Sequence, residues 1–212
     1  MGGAGLGTAL DEYVLSLARG RRVCLVPTAS SEDPWFIVRF YSLFSPKAEP
    51  AHLSFFPWPP EDLRAFVLAQ DVIYVGGGNT ANMLAIWRVH GMDEILREAW
   101  EGGIVLCGSS AGMICWFDAG ITDSFGPQLE GMPDGLGFLP GSACPHYDGE
   151  ELRRPRYREL VDGGFPGGWA AEDAVGLHFE GAELAEVVTA VEGKRAYRVE
   201  PGSETPLDAR VL

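Results

Sequence analysis

An α/β fold, with a mostly parallel sheet covered by helices on both faces, is predicted by three features of the 212-residue sequence. Short apolar runs at residues 22–27, 72–75 and 104–107 have the length and composition of strands buried on both faces. Segments with helical spacing alternate with these runs, as they do in sheets built from strand-helix-strand units. Glycine-rich turns, Gly76-Gly77-Gly78 and the stretch from Gly108 to Gly112, stand directly between an apolar run and a helical segment. These turns fall at the carboxyl ends of strands, where sheets of this class bind ligands.

Taken in order, residues 6–18 carry apolar side chains at 6, 10, 14, 15 and 17, a helical stripe that Gly20 stops. The run 22–27 is the first strand, and the aromatic-rich segment 35–44 is a second helix. Residues 53–58 read as a strand closed by Pro59 and Pro60, and residues 61–69 as a short amphipathic helix opened by a proline. The strand 72–75 leads through the triple glycine into a helix marked by Met83, Leu84 and Trp87. Another helix at 92–100 precedes the strand 104–107, and helical spacing covers 111–117. Residues 117–134 are expected to be irregular, 136–139 and 144–147 to be short extended pieces, and 150–161 to be a charged helix. The segments 175–180, 183–188 and 195–199 alternate as antiparallel strands separated by Gly181 and Gly193. No linker or repeat interrupts the chain, so residues 1–212 are expected to form one domain.

Composition narrows the function. Thirty acidic against sixteen basic residues give a formal charge of −14, a field that repels nucleic acid and anionic membranes. Neither is an expected partner. No apolar run reaches the ~20 residues needed to span a bilayer, and the amino terminus lacks the layout of a secretory signal; a cytoplasmic location is expected. Cys24, Cys107, Cys115 and Cys144 are widely spaced and are read as free thiols rather than disulfides or zinc ligands.

The chemistry centres on Gly108-Ser109-Ser110-Ala111-Gly112. In a Gly-x-Ser-x-Gly turn from strand to helix, the small flanking residues let the central serine project above the sheet as a nucleophile. Ser110 is that serine. The triple glycine at 76–78 exposes backbone N–H groups beside a helix start, a suitable place for a developing oxyanion. It lacks the spacing of a dinucleotide fingerprint or a P-loop. Of the four histidines, His146 is the strongest candidate base, since Pro145 stiffens the chain before it and acidic residues surround it. His178 is read as a strand residue pointing at solvent. For the acid that orients the base, Asp123 is preferred and Asp118 is its main rival.

Pro-Thr-Ala-Ser at 27–30, Gly-Gly-Gly-Asn-Thr at 76–80, Gly-Ser-Ser-Ala-Gly at 108–112 and Pro-His at 145–146 together resemble the peptidase E (aspartyl dipeptidase) family of serine peptidases, S51, to which cyanophycinase is related. The resemblance runs from about residue 5 to about residue 190. It implies a fold like that of class I glutamine amidotransferases and hydrolysis, without cofactor or metal, of short peptides with an amino-terminal aspartate. By position it implies Ser110 as nucleophile, His146 as base, Asp123 as acid, Gly77, Gly78 and Ala111 as oxyanion hole, and Asn79 and Arg153 as substrate-binding residues. A monomer or homodimer is expected. Relatives open with a hydrophobic strand, which the start at Met1-Gly2-Gly3 lacks, so either an upstream start or a shortened sheet edge is expected. Two alternatives remain beside this reading: an α/β-hydrolase-type esterase using His178, and a catalytically silent binding domain.

Overall fold

The computed structural model describes residues 6–212; the expectation about Met1-Gly2-Gly3 lies outside them. The amino-terminal half runs α1 (Ala9–Leu17), β1 (Arg22–Val26), α2 (Pro34–Phe44), β2 (Glu49–His52), α3 (Leu63–Leu68), β3 (Val72–Val75), α4 (Thr80–His90), α5 (Met92–Glu101), β4 (Val105–Gly108) and α6 (Ala111–Ile114). Its four strands pair in the order β2-β1-β3-β4, all parallel.

Both faces of this sheet are covered, and strand alternation shows how. Cys24, Val26, Ile73 and Val75 turn toward Met83, Leu84, Trp87 and Leu96 of α4 and α5. Their neighbours Val23, Leu25, Val72 and Tyr74 turn the other way, onto Val14 of α1 and Phe40 and Phe44 of α2. Every side chain of β3 is thereby buried, which explains why its sequence is continuously apolar rather than alternating.

The carboxyl-terminal half contains β5 (Phe117–Thr122), β6 (Glu130–Met132), β7 (Leu139–Cys144), α7 (Arg153–Asp162), β8 (Gly168–Ala171), β9 (Val175–Glu180), β10 (Glu183–Thr189), β11 (Arg195–Glu200), β12 (Ser203–Asp208) and β13 (Arg210–Val211). A mixed sheet orders them β12-β11-β8-β7-β5-β6, with β5, β7 and β8 parallel, while β13-β10-β9 form a third sheet. The apolar core around Val75, Met113 and Ile114 continues through Ala143 and Ala171 to Ala196, so the halves share it. Helix α7 buries Tyr157 and Val161 against Ile121, Cys144 and Ala170 of the mixed sheet. No helix among the described residues is long and apolar enough to cross a membrane.

Four expectations need correction. The strand expected at 53–58 is displaced to Glu49–His52: Pro57, Pro59 and Pro60 cannot donate to a ladder, while Leu53 and Phe55 are buried beyond its end, with the Leu53 N–H donating to the Leu25 carbonyl and the Phe55 N–H to the Glu32 carboxylate. Residues 117–134 are not all irregular, since β5 and β6 lie within them. Gly120 disguises β5, but a Cβ there would stand 2.5 Å from Cγ2 of Ile114, so the close seat of α6 on the strand requires the glycine. In place of the two extended pieces expected at 136–139 and 144–147, one strand, β7 (Leu139–Cys144), spans the gap between them. The charged helix begins at Arg153 rather than at residue 150.

Candidate active site

Ser110 sits between β4 and α6 with φ 55° and ψ −113°. A side chain other than glycine rarely adopts positive φ, and this one is held there by its surroundings. Gly108 and Gly112 supply the constraint. A Cβ on either would come within 2.5 Å of the Val75 carbonyl, 2.5 Å from Gly108 and 2.2 Å from Gly112, so α6 can start this close to β3 only with glycine at both positions. Behind the turn the Ser109 N–H donates to the Val75 carbonyl at 3.3 Å, and the Ser110 carbonyl accepts from the N–H groups of Met113 and Ile114. Burial pushes the Cys24 thiol up to about 12 and the Cys115 thiol well above its ordinary value. Neither thiol is ionised near neutral pH.

The triple glycine flanks the serine. A Cβ on Gly77 would lie 3.2 Å from the Ser110 Cβ, so the two turns are in contact. Gly78 has φ 135°, and a Cβ there would stand 2.1 Å from the Ala29 carbonyl oxygen; only glycine fits. Among the described residues the backbone N–H groups of Gly77, Gly78 and Ala111 have no hydrogen-bond partner. The amides that open α4 are already used: the Asn79 side chain accepts from Asn82 N–H, and Ser124 Oγ accepts from the N–H groups of Thr80 and Ala81. Asn79 also donates to the Ser124 carbonyl, so it caps α4 and ties that helix to the loop after β5.

His146 follows the end of β7 by two residues and also has positive φ, 56°. Its Nδ1 lies 3.0 Å from Oδ1 of Asp173, with the imidazole 20% and the carboxylate 39% exposed. Asp173 follows β8, the strand paired in parallel with β7. Its second oxygen fills the space beside Gly149, where a Cβ would stand only 2.1 Å away. Among the described residues, no hydrogen bond joins Ser110 to His146. Their supporting elements do meet, since a Cβ on Gly120 would lie 2.5 Å from Cγ2 of Ile114 in α6 and 3.0 Å from the Ala143 carbonyl oxygen of β7.

The structure thus brings an acid to His146 that sequence reading missed. Asp123 is exposed and its carboxylate has no partner among the described residues; Asp118 accepts from Gly141 N–H at 3.0 Å. Arg153 is 3% exposed and fully engaged, donating to Glu150 through Nε and to the Ile121 carbonyl through Nη1. His178 does not point at solvent. Its Nδ1 lies 2.8 Å from the Tyr13 hydroxyl, which in turn donates to Glu186. His52 pairs with Tyr41, and the His90 ring packs on Phe55.

All four cysteines are free thiols. No cluster of histidine, cysteine and carboxylate side chains suited to a metal ion occurs among the described residues. A cavity of about 450 Å³ lies between α1, β4 and β9, lined by side chains such as Val14, Leu106 and Leu177. Neither Ser110 nor His146 lines it, so it is not the place of the chemistry described above.

Comparison with known proteins finds a peptidase family. The sequence model of peptidase family S51 matches residues 3–187. The uncharacterized peptidase YgaJ of Bacillus subtilis (strain 168) is 46% identical over 225 residues, covering 100% of this chain and 97% of that protein. Among solved structures, a peptidase from an acI-B1 Actinobacterium superposes with a TM-score of 0.67 at 18% identity, covering 97% of this chain and 92% of that one. A protein described as a peptidase E from Listeria monocytogenes EGD-e gives 0.55 at 17% identity, covering 94% and 91%. At those identities the two structures speak for the fold alone.

Proposed function

Because the chain belongs to peptidase family S51, we propose that it is a serine-type exopeptidase acting on short peptides, with Ser110, His146 and Asp173 as its catalytic set. The observation that carries this reading is the strained Ser110 turn in contact with Gly77, whose N–H, like those of Gly78 and Ala111, has no hydrogen-bond partner among the described residues. A plain direction-changing turn has no need of positive φ at a serine, nor of glycines packed against a neighbouring carbonyl on both sides of it.

In this mechanism Ser110 Oγ attacks the scissile carbonyl while His146 Nε2 takes the hydroxyl proton. Asp173 holds the other ring nitrogen, Nδ1, in its protonated form and stabilises the imidazolium that develops. The negative charge on the carbonyl oxygen is met by the N–H groups of Gly77 or Gly78 and Ala111, which are fixed before the reaction begins. His146 then returns its proton to the leaving amine, and water repeats the sequence on the acyl-enzyme.

The chain order Ser110, His146, Asp173 places the acid last, whereas α/β-hydrolases place it before the histidine. The engagement of His178 with Tyr13 further weighs against the esterase alternative. Preference for an amino-terminal aspartate belongs to this proposal as its finer part. It rests on Arg153, from which a substrate carboxylate would have to displace Glu150. Labelling by a fluorophosphonate probe together with a dipeptide cleavage screen tests the whole reading. Ser110→Ala is expected to lose both labelling and turnover, and Ser109→Ala to keep both. A wild-type protein that neither labels nor cleaves any short peptide would leave a binding domain as the better reading.

A further inference from the structure

The carboxylate on His146 is itself held by a second acidic residue that takes no part in the mechanism above. Asp148, two residues after the histidine, accepts a hydrogen bond from the Asp173 backbone N–H at 2.8 Å through Oδ1. Its other oxygen, Oδ2, accepts from the Lys194 ammonium, which is carried by the loop between β10 and β11. Three separate loops, after β7, after β8 and between β10 and β11, therefore converge on one carboxylate.

The neighbouring contacts show what this arrangement does. Tyr147 N–H donates to the Ala171 carbonyl at 3.0 Å, pinning the histidine loop to the end of β8. Glu172 is fixed from the opposite side, accepting from Arg195 N–H and from the Tyr197 hydroxyl. Between these anchors the one described bond that holds the Asp173 backbone on the side of the histidine loop is the bond to Asp148. Burial alone would raise the Asp148 carboxyl, but Lys194 and the Asp173 amide outweigh it and hold the group below its ordinary value. It therefore stays an ionised, acceptor-only group at neutral pH. The pair is only partly exposed, 33% for Lys194 and 27% for Asp148, which limits its competition with water.

Resting on the peptidase reading, we propose that Asp148, anchored by Lys194, is a positioning residue that holds Asp173 in register with His146 Nδ1. It touches neither substrate nor the reacting atoms. Removing its side chain frees the Asp173 backbone to drift, and the His146–Asp173 bond is lost before the fold is.

The test compares Asp148→Ala, Asp148→Asn and Lys194→Gln in the full chain, by steady-state kinetics on a cleaved dipeptide and by the downfield Nδ1 proton resonance of His146. Asp148→Ala is expected to lose that resonance and to lower kcat by about 10- to 100-fold with KM little changed, the usual consequence of a misplaced catalytic group. Asp148→Asn keeps an acceptor for the Asp173 N–H and should restore both. Lys194→Gln acts through the same contact, so combining it with Asp148→Ala should add nothing further. An Asp148→Ala protein with the resonance and kcat of wild type overturns the proposal. So does equal damage in the alanine and asparagine variants, which would mark a general loss of loop structure. A wild-type protein that shows the resonance but cleaves no peptide removes the peptidase reading, and the resonance in the variants then decides the positioning role by itself. A wild type without the resonance has no Asp173–His146 bond to hold, and the proposal falls.

Discussion

The absent side chain of Gly149 and the carboxylate of Asp173 occupy the same space: a Cβ at residue 149 would stand 2.1 Å from Oδ2 of Asp173. The atom in the way is the end of a flexible side chain rather than backbone, so Gly149→Ala would be relieved by swinging the carboxylate away from His146. Activity is therefore expected to fall far more than stability, with kcat lower by about 100-fold and the melting temperature near that of wild type. Thermal denaturation and dipeptide turnover measured on the same preparation check it; unchanged turnover would show that Asp173 need not stay where it is.

A second expectation separates the two candidate acids. Asp173→Asn leaves a side chain of the same shape that stabilises the wrong tautomer of His146, a change worth ~10⁴-fold in kcat where such a triad operates. Asp123→Asn alters an exposed carboxylate with no partner among the described residues and should leave kcat within about 3-fold of wild type, as surface substitutions generally do. The opposite order would return the acid to the loop after β5.

These two acids also mark where sequence reading reached and where it stopped. Ser110 was legible because its turn is a local affair, encoded by Gly108 and Gly112 within five residues. The strand β3 was legible because burial on both faces forces a continuous apolar run. His146 was legible from Pro145 and the acidic residues beside it. Asp173 was not, because its pairing with His146 depends on the parallel register of β7 and β8. The strand that delivers it, Gly168–Ala171, is short and made of small residues around Trp169. The signal was present in Glu172-Asp173, two acids directly after that run, at the carboxyl end of a strand. The strand β5 was hidden by the same physics, since Gly120 lowers strand propensity locally while the packing of Ile114 demands it.

The glycine turn yields a contrast between adjacent residues. A Cβ on Gly77 would meet the Ser110 Cβ at 3.2 Å, tight but adjustable, whereas one on Gly78 would strike the Ala29 carbonyl at 2.1 Å from a backbone at φ 135°. Gly77→Ala is expected to fold and to lower kcat, by up to the ~100-fold that loss of one oxyanion donor brings, because it shifts the serine against its amides. Gly78→Ala is expected to lower the melting temperature outright, since the backbone of Ala29 and Ser30 must give way. Equal stability of the two variants would mean that the turn is softer than its geometry indicates.

The last expectation concerns acidic substrates, and it turns on which carboxylate Arg153 prefers. Each of the four arginines in α7 has an acidic partner: Arg153 has Glu150, Arg154 and Arg158 share Glu204, and Arg156 has Glu159. No guanidinium of this helix is free to greet an amino-terminal aspartate. Arg153 is the buried one, and its Nε lies 2.7 Å from Glu150 Oε2, while Glu150 is itself 46% exposed and able to leave. Binding of an acidic residue would then exchange one charge-assisted pair for another of similar strength, a step with little net gain. Wild-type preference for Asp-X over Ala-X dipeptides should accordingly be modest. Glu150→Gln removes the competing charge but keeps a neutral acceptor, and a charged partner is worth roughly 1.5–3 kcal/mol against ~1 for a neutral one. The substitution should therefore widen the Asp-X to Ala-X ratio of kcat/KM by up to about 10-fold, with Leu-X turnover unaffected. A ratio that does not move in Glu150→Gln would confine Arg153 to its structural work, tying the loop after His146 to the Ile121 carbonyl of β5, and any selection of aspartate would have to come from another part of the site.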